Sequence, residues 1–490
     1  MKTIITYIYS LIGLCSLIAF AACDDGDSFT VSPSNVLTFS VDTVKLDTLF
    51  STIPSSTRSF WVYNNSGDGL RNITVRLEGG NQKGFRVNVD GAYLSPEQGY
   101  KVSDIEVRNK DSIRVYVELT SAVNYGATPK ELKDNLVFVL ESGVQQKVAL
   151  NAWSWDATLL RSPKVESDLT LDSSKPIVVY GDMDVEPGAT LTLLPGTKLY
   201  FHGNAGLNVK GRLVCKGTAT DNVVMRGDRL DRMFAYLPYD RVSGQWRGIK
   251  IFKDSYDNEI DHTDIHGAFE GLRVDSSDVS RLSLSLTNSI VHNCQGNALN
   301  VVCSKVVLEN CQLTNALYHC LAVDGGDVSV NNCTIAQFYP FDSARGSALS
   351  FSGINYPLVN FNCRNTLITG YANDEMMGGR PTGEDANAFN FNFANCTIRT
   401  PEVTDEDDEE HFVDVEFEDV ADSEHYGIGH FVKIDANMQD YNFHLRKDAG
   451  AIGKANPDTA TKHDMEDVQR DDKPDVGAYE YIEAPADATN

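Results

Sequence analysis

The feature that most constrains this chain is an internal repeat. Residues 293–313 (NCQGNALNVVCSKVVLENCQL) and 315–335 (NALYHCLAVDGGDVSVNNCTI) align without a gap at an offset of 22 residues. Asn293 matches Asn315, Leu299 matches Leu321, Val301 matches Val323, Asn310 matches Asn332 and Cys311 matches Cys333. A period of this length is too short for a domain that buries its own core, so successive copies must stack and bury apolar faces against each other.

Two landmarks extend the pattern. A small residue followed by apolar, any and apolar residues recurs as Gly271-Leu272-Arg273-Val274, Ala298-Leu299-Asn300-Val301 and Cys320-Leu321-Ala322-Val323. It returns as Ala348-Leu349-Ser350-Phe351 and Ala388-Phe389-Asn390-Phe391. The period of two is that of a strand with one buried face. The second landmark is a polar residue just before a short strand: His262, Asn288, Asn310, Asn332, Asn365 and Asn395. Stacked one strand spacing apart, these side-chain amides are expected to form a ladder at a bend. Cys311, Cys333 and Cys396 follow such Asn residues and are expected in register as compact buried groups, free thiols in preference to a Cys311–Cys333 disulfide.

Upstream, residues 187–220 show short strands broken by Gly and Pro, and QWRGIKI (245–251) reads as another strand entry. Together with the Asn-bearing coils, these stretches resemble the right-handed parallel β-helix repeat proteins found among Bacteroidetes-type lipoproteins. FHLRKDAGAIGKANPD (443–458) and DVGAYEY (475–481) resemble the closing segment of the same family. The resemblance covers about 160–482 and implies a fold, leaving the chemistry open. Residues 371–386 and the acid-rich 401–425 interrupt the rhythm and are expected to emerge as loops, the second as a solvated, self-repelling run without EF-hand or RTX calcium spacing.

Ahead of the repeat, alternating strands and turns from Leu37 to Trp155 point to an immunoglobulin-like β-sandwich. The amino end reads as an export signal, with Lys2, an apolar run from Ile4 to Phe20, and Ala21-Ala22 abutting Cys23. FAAC resembles the lipobox of bacterial lipoproteins, which implies a lipidated Cys23. The following CDDGD resembles the export tag of surface lipoproteins. The expected fold class is therefore all-β, an N-terminal immunoglobulin-like β-sandwich followed by a right-handed parallel β-helix. The expected organisation is a lipoprotein signal peptide (1–22), an acidic tether (23–36), the sandwich (37–155), the β-helix (156–483) with its insertion near 401–425, and a disordered tail (484–490).

Of ten cysteines, Cys15 leaves with the signal and Cys23 carries lipid; the other eight lie between Cys215 and Cys396. The formal charge of −27 becomes −28 once Lys2 is removed, which argues against nucleic acid and polyanionic glycans as partners. The expected partners are the membrane, through Cys23, and neutral glycans; no protein partner is legible.

No cofactor motif and no CxxC or Cys/His zinc spacing is present, so neither cofactor nor metal is expected. A polysaccharide lyase would need a base and a cation, for which Arg273, Arg345, Arg364, Arg380, His262 and His266 are the available residues, in no recognisable constellation. A glycosidase needs two acids at a set separation, and no pair stands out among 69 acidic residues. No catalytic residue is assigned, and the expected function is a non-catalytic, surface-displayed envelope protein that is structural or glycan-contacting; the alternative is a lyase or glycoside hydrolase of β-helix type. Replacing Cys23 with Ser is expected to move the chain from the membrane to the soluble fraction on cell fractionation. Retention of the variant in the membrane would refute the lipobox reading.

Overall fold

The computed structural model describes residues 28–384 and 386–483. The export signal, Cys23 and residues 484–490 lie outside the described residues. Contacts divide the chain into a unit ending at Asp156 and another beginning at Ala157. Both are built of strands, and among the described residues no helix is long and apolar enough to cross a membrane.

The first unit is a sandwich of two five-stranded sheets. Pairing is antiparallel except where Thr43–Phe50 runs parallel to Gln145–Trp155. Alternation is strict where one face is buried: in Phe85–Val89 the residues Phe85, Val87 and Val89 are inside while Arg86 and Asn88 are half-exposed. These inner faces meet in one core that includes Phe60, Ile73, Val115, Phe138 and Leu150.

The second unit is a parallel β-helix. Each coil gives one strand to a narrow eleven-stranded sheet and, for most of its length, two to a wide seventeen-stranded sheet. The repeat is a physical register: Leu299 pairs with Leu321 and Val301 with Val323 on adjacent strands. Leu272, Leu299, Leu321 and Leu349 form one inward ladder of fully buried side chains. Ile265, Val291, Leu313, Ile335, Ile368 and Ile398 form the facing ladder from the narrow sheet. Each such side chain contributes about 1.5–3 kcal/mol on burial.

One landmark sits differently from expectation. Met376–Gly379, inside the stretch read as a loop, is the strand that stacks on Leu349–Ser352, while Phe389 pairs with Leu358. The small-apolar pattern of 388–391 therefore belongs to the second wide-sheet strand of its coil. Two Met and two Gly make a weak strand signature, and only stacking on Leu349–Ser352 makes this segment extended. Beyond it, Phe351, Phe361, Phe389, Phe393 and Phe412 fill the last coils with rings, for example 5.0 Å between the centroids of Phe393 and Phe412.

At the corner before the narrow sheet, His262, Asn288, Asn310, Asn332, Asn365 and Asn395 all have φ between 41° and 52°. Asn tolerates this left-handed region better than most residues, which explains the recurrence. The following side chains, Thr263, Ser289, Cys311, Cys333, Thr366 and Cys396, each donate to the carbonyl two residues earlier, at 2.6–3.4 Å. The thiols are thus members of a hydroxyl–thiol column and not merely compact apolar groups. All eight described cysteines are free, so no disulfide joins Cys311 to Cys333.

The amide ladder exists only in part. Asn310 donates to Asn288 Oδ1 at 3.1 Å, and Asn288 to Asp261 Oδ1 at 2.9 Å. Much of the Asn row instead receives the carboxyl-terminal segment. Thr461 Oγ1 donates to Asn310 Oδ1 (2.8 Å), Thr461 N to Asn332 Oδ1 (3.0 Å) and Asn456 N to Asn365 Oδ1 (2.8 Å). The last parallel strand is Glu416–Phe417, and residues from Phe431 to Tyr479 pack back over the outer face of the narrow sheet around Phe338, Phe443 and Val476.

Asn365→Ala is expected to lower the unfolding free energy by about 1–3 kcal/mol, because the half-buried Asn456 N–H loses its acceptor and the corner loses a residue suited to positive φ. Asn365→Gly should recover about 1 kcal/mol of that by easing the backbone alone. Urea unfolding followed by tryptophan fluorescence measures both; equal losses would contradict the corner's conformational role.

Candidate functional site

Where the carboxyl-terminal segment leaves the narrow sheet uncovered, a cleft of about 590 Å³ opens, lined by Asp240, Asp264, His266, His292, Asp440, His444, Glu466 and Tyr479 among others. Its floor follows from strand alternation. Ile265 and Val291 point into the coil, so Asp264, His266 and His292 point out. His266 pairs in register with His292 on the next strand, and their rings lie 4.8 Å apart. Trp246, fully buried against Phe201, donates its indole N–H to the carbonyl of His266 at 2.8 Å and pins that strand end.

Both imidazoles meet one carboxylate oxygen. His266 Nδ1 lies 2.8 Å and His292 Nε2 3.2 Å from Asp264 Oδ1. The far side of His266, Nε2, lies 3.2 Å from Asp240 Oδ1, and Asp240 is in turn paired with Arg226. Burial works to raise the Asp264 carboxyl, but the charges and hydrogen bonds of His266 and His292 outweigh it and hold the group well below the usual carboxylate range. One ligand atom from each of Asp264, His266 and His292 lies within 4.8 Å of the others, so this trio is the place among the described residues where a metal would find both nitrogen and oxygen donors.

The opposite wall comes from the carboxyl-terminal segment. Asp440 is paired with Arg241 at 3.0 Å and with Lys433. His444 stacks on Tyr479 with centroids 4.2 Å apart and reaches Glu466 at 3.2 Å. Tyr479 donates to Gln312 Oε1 at 2.7 Å, which ties this wall to the floor.

A second feature runs along the corner that follows the narrow sheet. Among the described residues, four of the seven exposed aromatic side chains of this unit follow narrow-sheet strands there, Phe269, Tyr318, Phe341 and Tyr371; Phe234 and Tyr236 belong to the separate antiparallel hairpin of Arg232–Phe234 and Leu237–Pro238, and Tyr356 lies elsewhere. Phe269 and Tyr318 belong to stacked turns: Gly296 N donates to the carbonyl of Phe269, and Tyr318 N to that of Gly296 at 3.1 Å. They are thus two coils apart, about 9–10 Å at one strand spacing per coil. Tyr339 reaches back to Ser243 at 3.1 Å, and Arg345 lies over the Tyr371 ring at 5.0 Å. Beneath Tyr371, burial pushes the Glu375 carboxyl up to about 8, although it accepts backbone N–H bonds from Ala372 and Ala348.

Of the six basic residues weighed from sequence, only His266 lies in the cleft. His262 occupies the positive-φ corner beside Asp261. Arg273 pairs with Asp275 on the wide sheet, Arg345 belongs to the aromatic corner, Arg364 ends a wide-sheet strand and Arg380 pairs with Asp408. They do not converge. Sequence reasoning missed Asp240, Asp264 and His292, yet a signal existed. The His262-to-Asn288 offset of 26 residues, applied to His266, lands on His292. Asp240, on an inter-coil loop, left no such trace.

Residues 177–335 match a family model described as a right handed beta helix region, in agreement with the parallel coils. No curated protein matches the chain. Among solved structures, a family 123 glycoside hydrolase from Clostridium perfringens aligns at 7% identity over 24% of this chain, with a TM-score of 0.18; the chain spans 25% of that protein. The catalytic unit of a GH87 alpha-1,3-glucanase from Streptomyces thermodiastaticus aligns at 8% identity over 73% of this chain and 88% of its own length, also at 0.18. The CooA pilin subunit of enterotoxigenic Escherichia coli aligns at 12% identity over 25% of this chain and 97% of its own, again at 0.18. Scores of this size carry no argument about chemistry.

Proposed function

We propose that this chain is a non-catalytic envelope protein, anchored through lipid on Cys23 and displayed at the cell surface, whose β-helix presents an aromatic ledge to neutral glycans. The observation that carries the glycan reading is the concentration of exposed rings at one corner of the coil stack, Phe269 and Tyr318 among them. Contiguous exposed apolar surface on a folded domain marks a contact site, and aromatic faces offer large contact area at low entropy cost. Arg345, over the Tyr371 ring, supplies a polar group for hydroxyls, and the net charge of −27 disfavours uronate polymers.

The expected result on an array of neutral and acidic glycans is binding to neutral polymers only. Tyr318→Ala and Phe269→Ala should each weaken it about tenfold, the loss of roughly 1–2 kcal/mol for a truncated aromatic anchor. Binding that persists unchanged in the double variant would remove the ledge from the reading.

A second reading, a glycoside hydrolase of β-helix type, has one observation in its favour. Asp240 and Asp264 share the cleft, bonded to opposite nitrogens of His266, which places them at most about 8 Å apart and within the range of paired glycosidase acids. The chemistry fits less well, because one member of such a pair must hold a proton at working pH. Asp264, held ionised, can fill only the deprotonated role, which leaves the proton to Asp240, the partner of the Arg226 guanidinium; Glu375, which burial does raise, is buried outside the cleft. Incubation with the neutral polymers that bind is expected to release no reducing ends. Product release abolished by Asp240→Asn would establish the second reading in place of the first.

A further inference from the structure

We propose that Asp264, His266 and His292 form a binding site for one divalent first-row transition-metal ion of the zinc class, with an open coordination position facing the cleft. The site is separate from the aromatic ledge and does not depend on the glycan reading.

Five observations lead there. The donor atoms already converge: all lie within 4.8 Å of one another, with His266 Nδ1 and His292 Nε2 at 2.8 and 3.2 Å from the same oxygen of Asp264. An ion about 2.0–2.2 Å from nitrogen and oxygen ligands in tetrahedral geometry holds those ligands roughly 3.3 Å apart, so two of the three spacings need only small adjustments. The donor set is also selective. Two imidazoles and a carboxylate suit zinc and its first-row neighbours, whereas calcium and magnesium favour all-oxygen cages.

The surroundings are those of a metal site. A ligating His usually presents its other ring nitrogen to a carboxylate that fixes its tautomer and orientation. Here His266 Nε2 faces Asp240 at 3.2 Å, and Arg226, itself almost buried, holds Asp240 in turn. The scaffold is rigid, because Asp264 and His266 sit on one strand of the narrow sheet and His292 on its hydrogen-bonded neighbour. Access is open on one side: Asp264 and His292 are 26% and 24% exposed, whereas His266 is 6% exposed. Three protein ligands with one face toward a cleft is the arrangement of an ion that also takes a water or an exogenous ligand.

The test uses the purified full-length chain in detergent, without a histidine tag, stripped with a chelator and titrated with Co²⁺ and then Zn²⁺. Saturation at one equivalent is expected, with a visible Co²⁺ absorption band that Zn²⁺ displaces. His292→Asn and His266→Asn should weaken binding at least 100-fold, and Asp240→Asn 10–100-fold while keeping the band, as a positioning residue should. His444→Asn, which alters the opposite wall of the cleft, should leave the band and its midpoint unchanged. Circular dichroism checks that the variants are folded. No saturable band in the unmutated chain would overturn the proposal, whatever the variants do. So would a titration that His292→Asn leaves unaltered, the result expected if the three groups are only a hydrogen-bonded imidazole–carboxylate cluster.

Discussion

From His262 onward, each coil of the β-helix turns into the narrow sheet through one residue held at positive φ, and the later coils depend on that corner. The conformation redirects the strand, and Asn is among the few side chains that accept it at modest cost. The hydroxyl or thiol that follows returns a hydrogen bond to the carbonyl two residues back, so the bend satisfies part of its own backbone. Thr, Ser and Cys are interchangeable there because each carries one small donor. Repeated at strand spacing, the corner keeps inward ladders such as Leu299–Leu321 in register.

The same corner determines where the cleft lies. Its amides have capacity left after the bend is made, and Asn310, Asn332 and Asn365 direct it to the returning carboxyl-terminal segment. That segment covers the later strands of the narrow sheet with Phe443, Val476 and their neighbours and stops short of Asp264 and His266. What it leaves bare becomes the floor of the cleft, and its own edge, with Asp440, His444 and Tyr479, becomes the wall. Strand alternation then aims Asp264, His266 and His292 outward while Ile265 and Val291 hold the core. The aromatic ledge arises separately, from turns that follow the narrow sheet, where side chains are free of core packing.

Much of the architecture was legible because stacking leaves a local trace. The offset of 22 residues, the alternating Leu and Val positions and the Asn corners each reflect contacts between neighbouring coils, which sequence spacing exposes directly. Legibility failed where the trace weakens. Met376–Gly379 has little strand character of its own, and Phe389, which mimics a landmark, stacks on Leu358 instead. The candidate site is half legible: His266 stands near His262 in one coil, whereas His292 follows only from the 26-residue register between neighbouring coils.

By itself, then, the sequence determined the all-β class, the coiled repeat and the identity of the corner residues, since those rest on interactions a coil makes with its immediate neighbours. Only the tertiary structure decided where the carboxyl-terminal segment docks, that Asp240 closes on His266 from a loop, and that the cysteines belong to a hydrogen-bonding column. The docking contacts join residues far apart in the chain, 167 positions between Gln312 and Tyr479, and no periodicity encodes a partner at that distance. Their energies are set by burial and geometry that exist only once the coils have stacked.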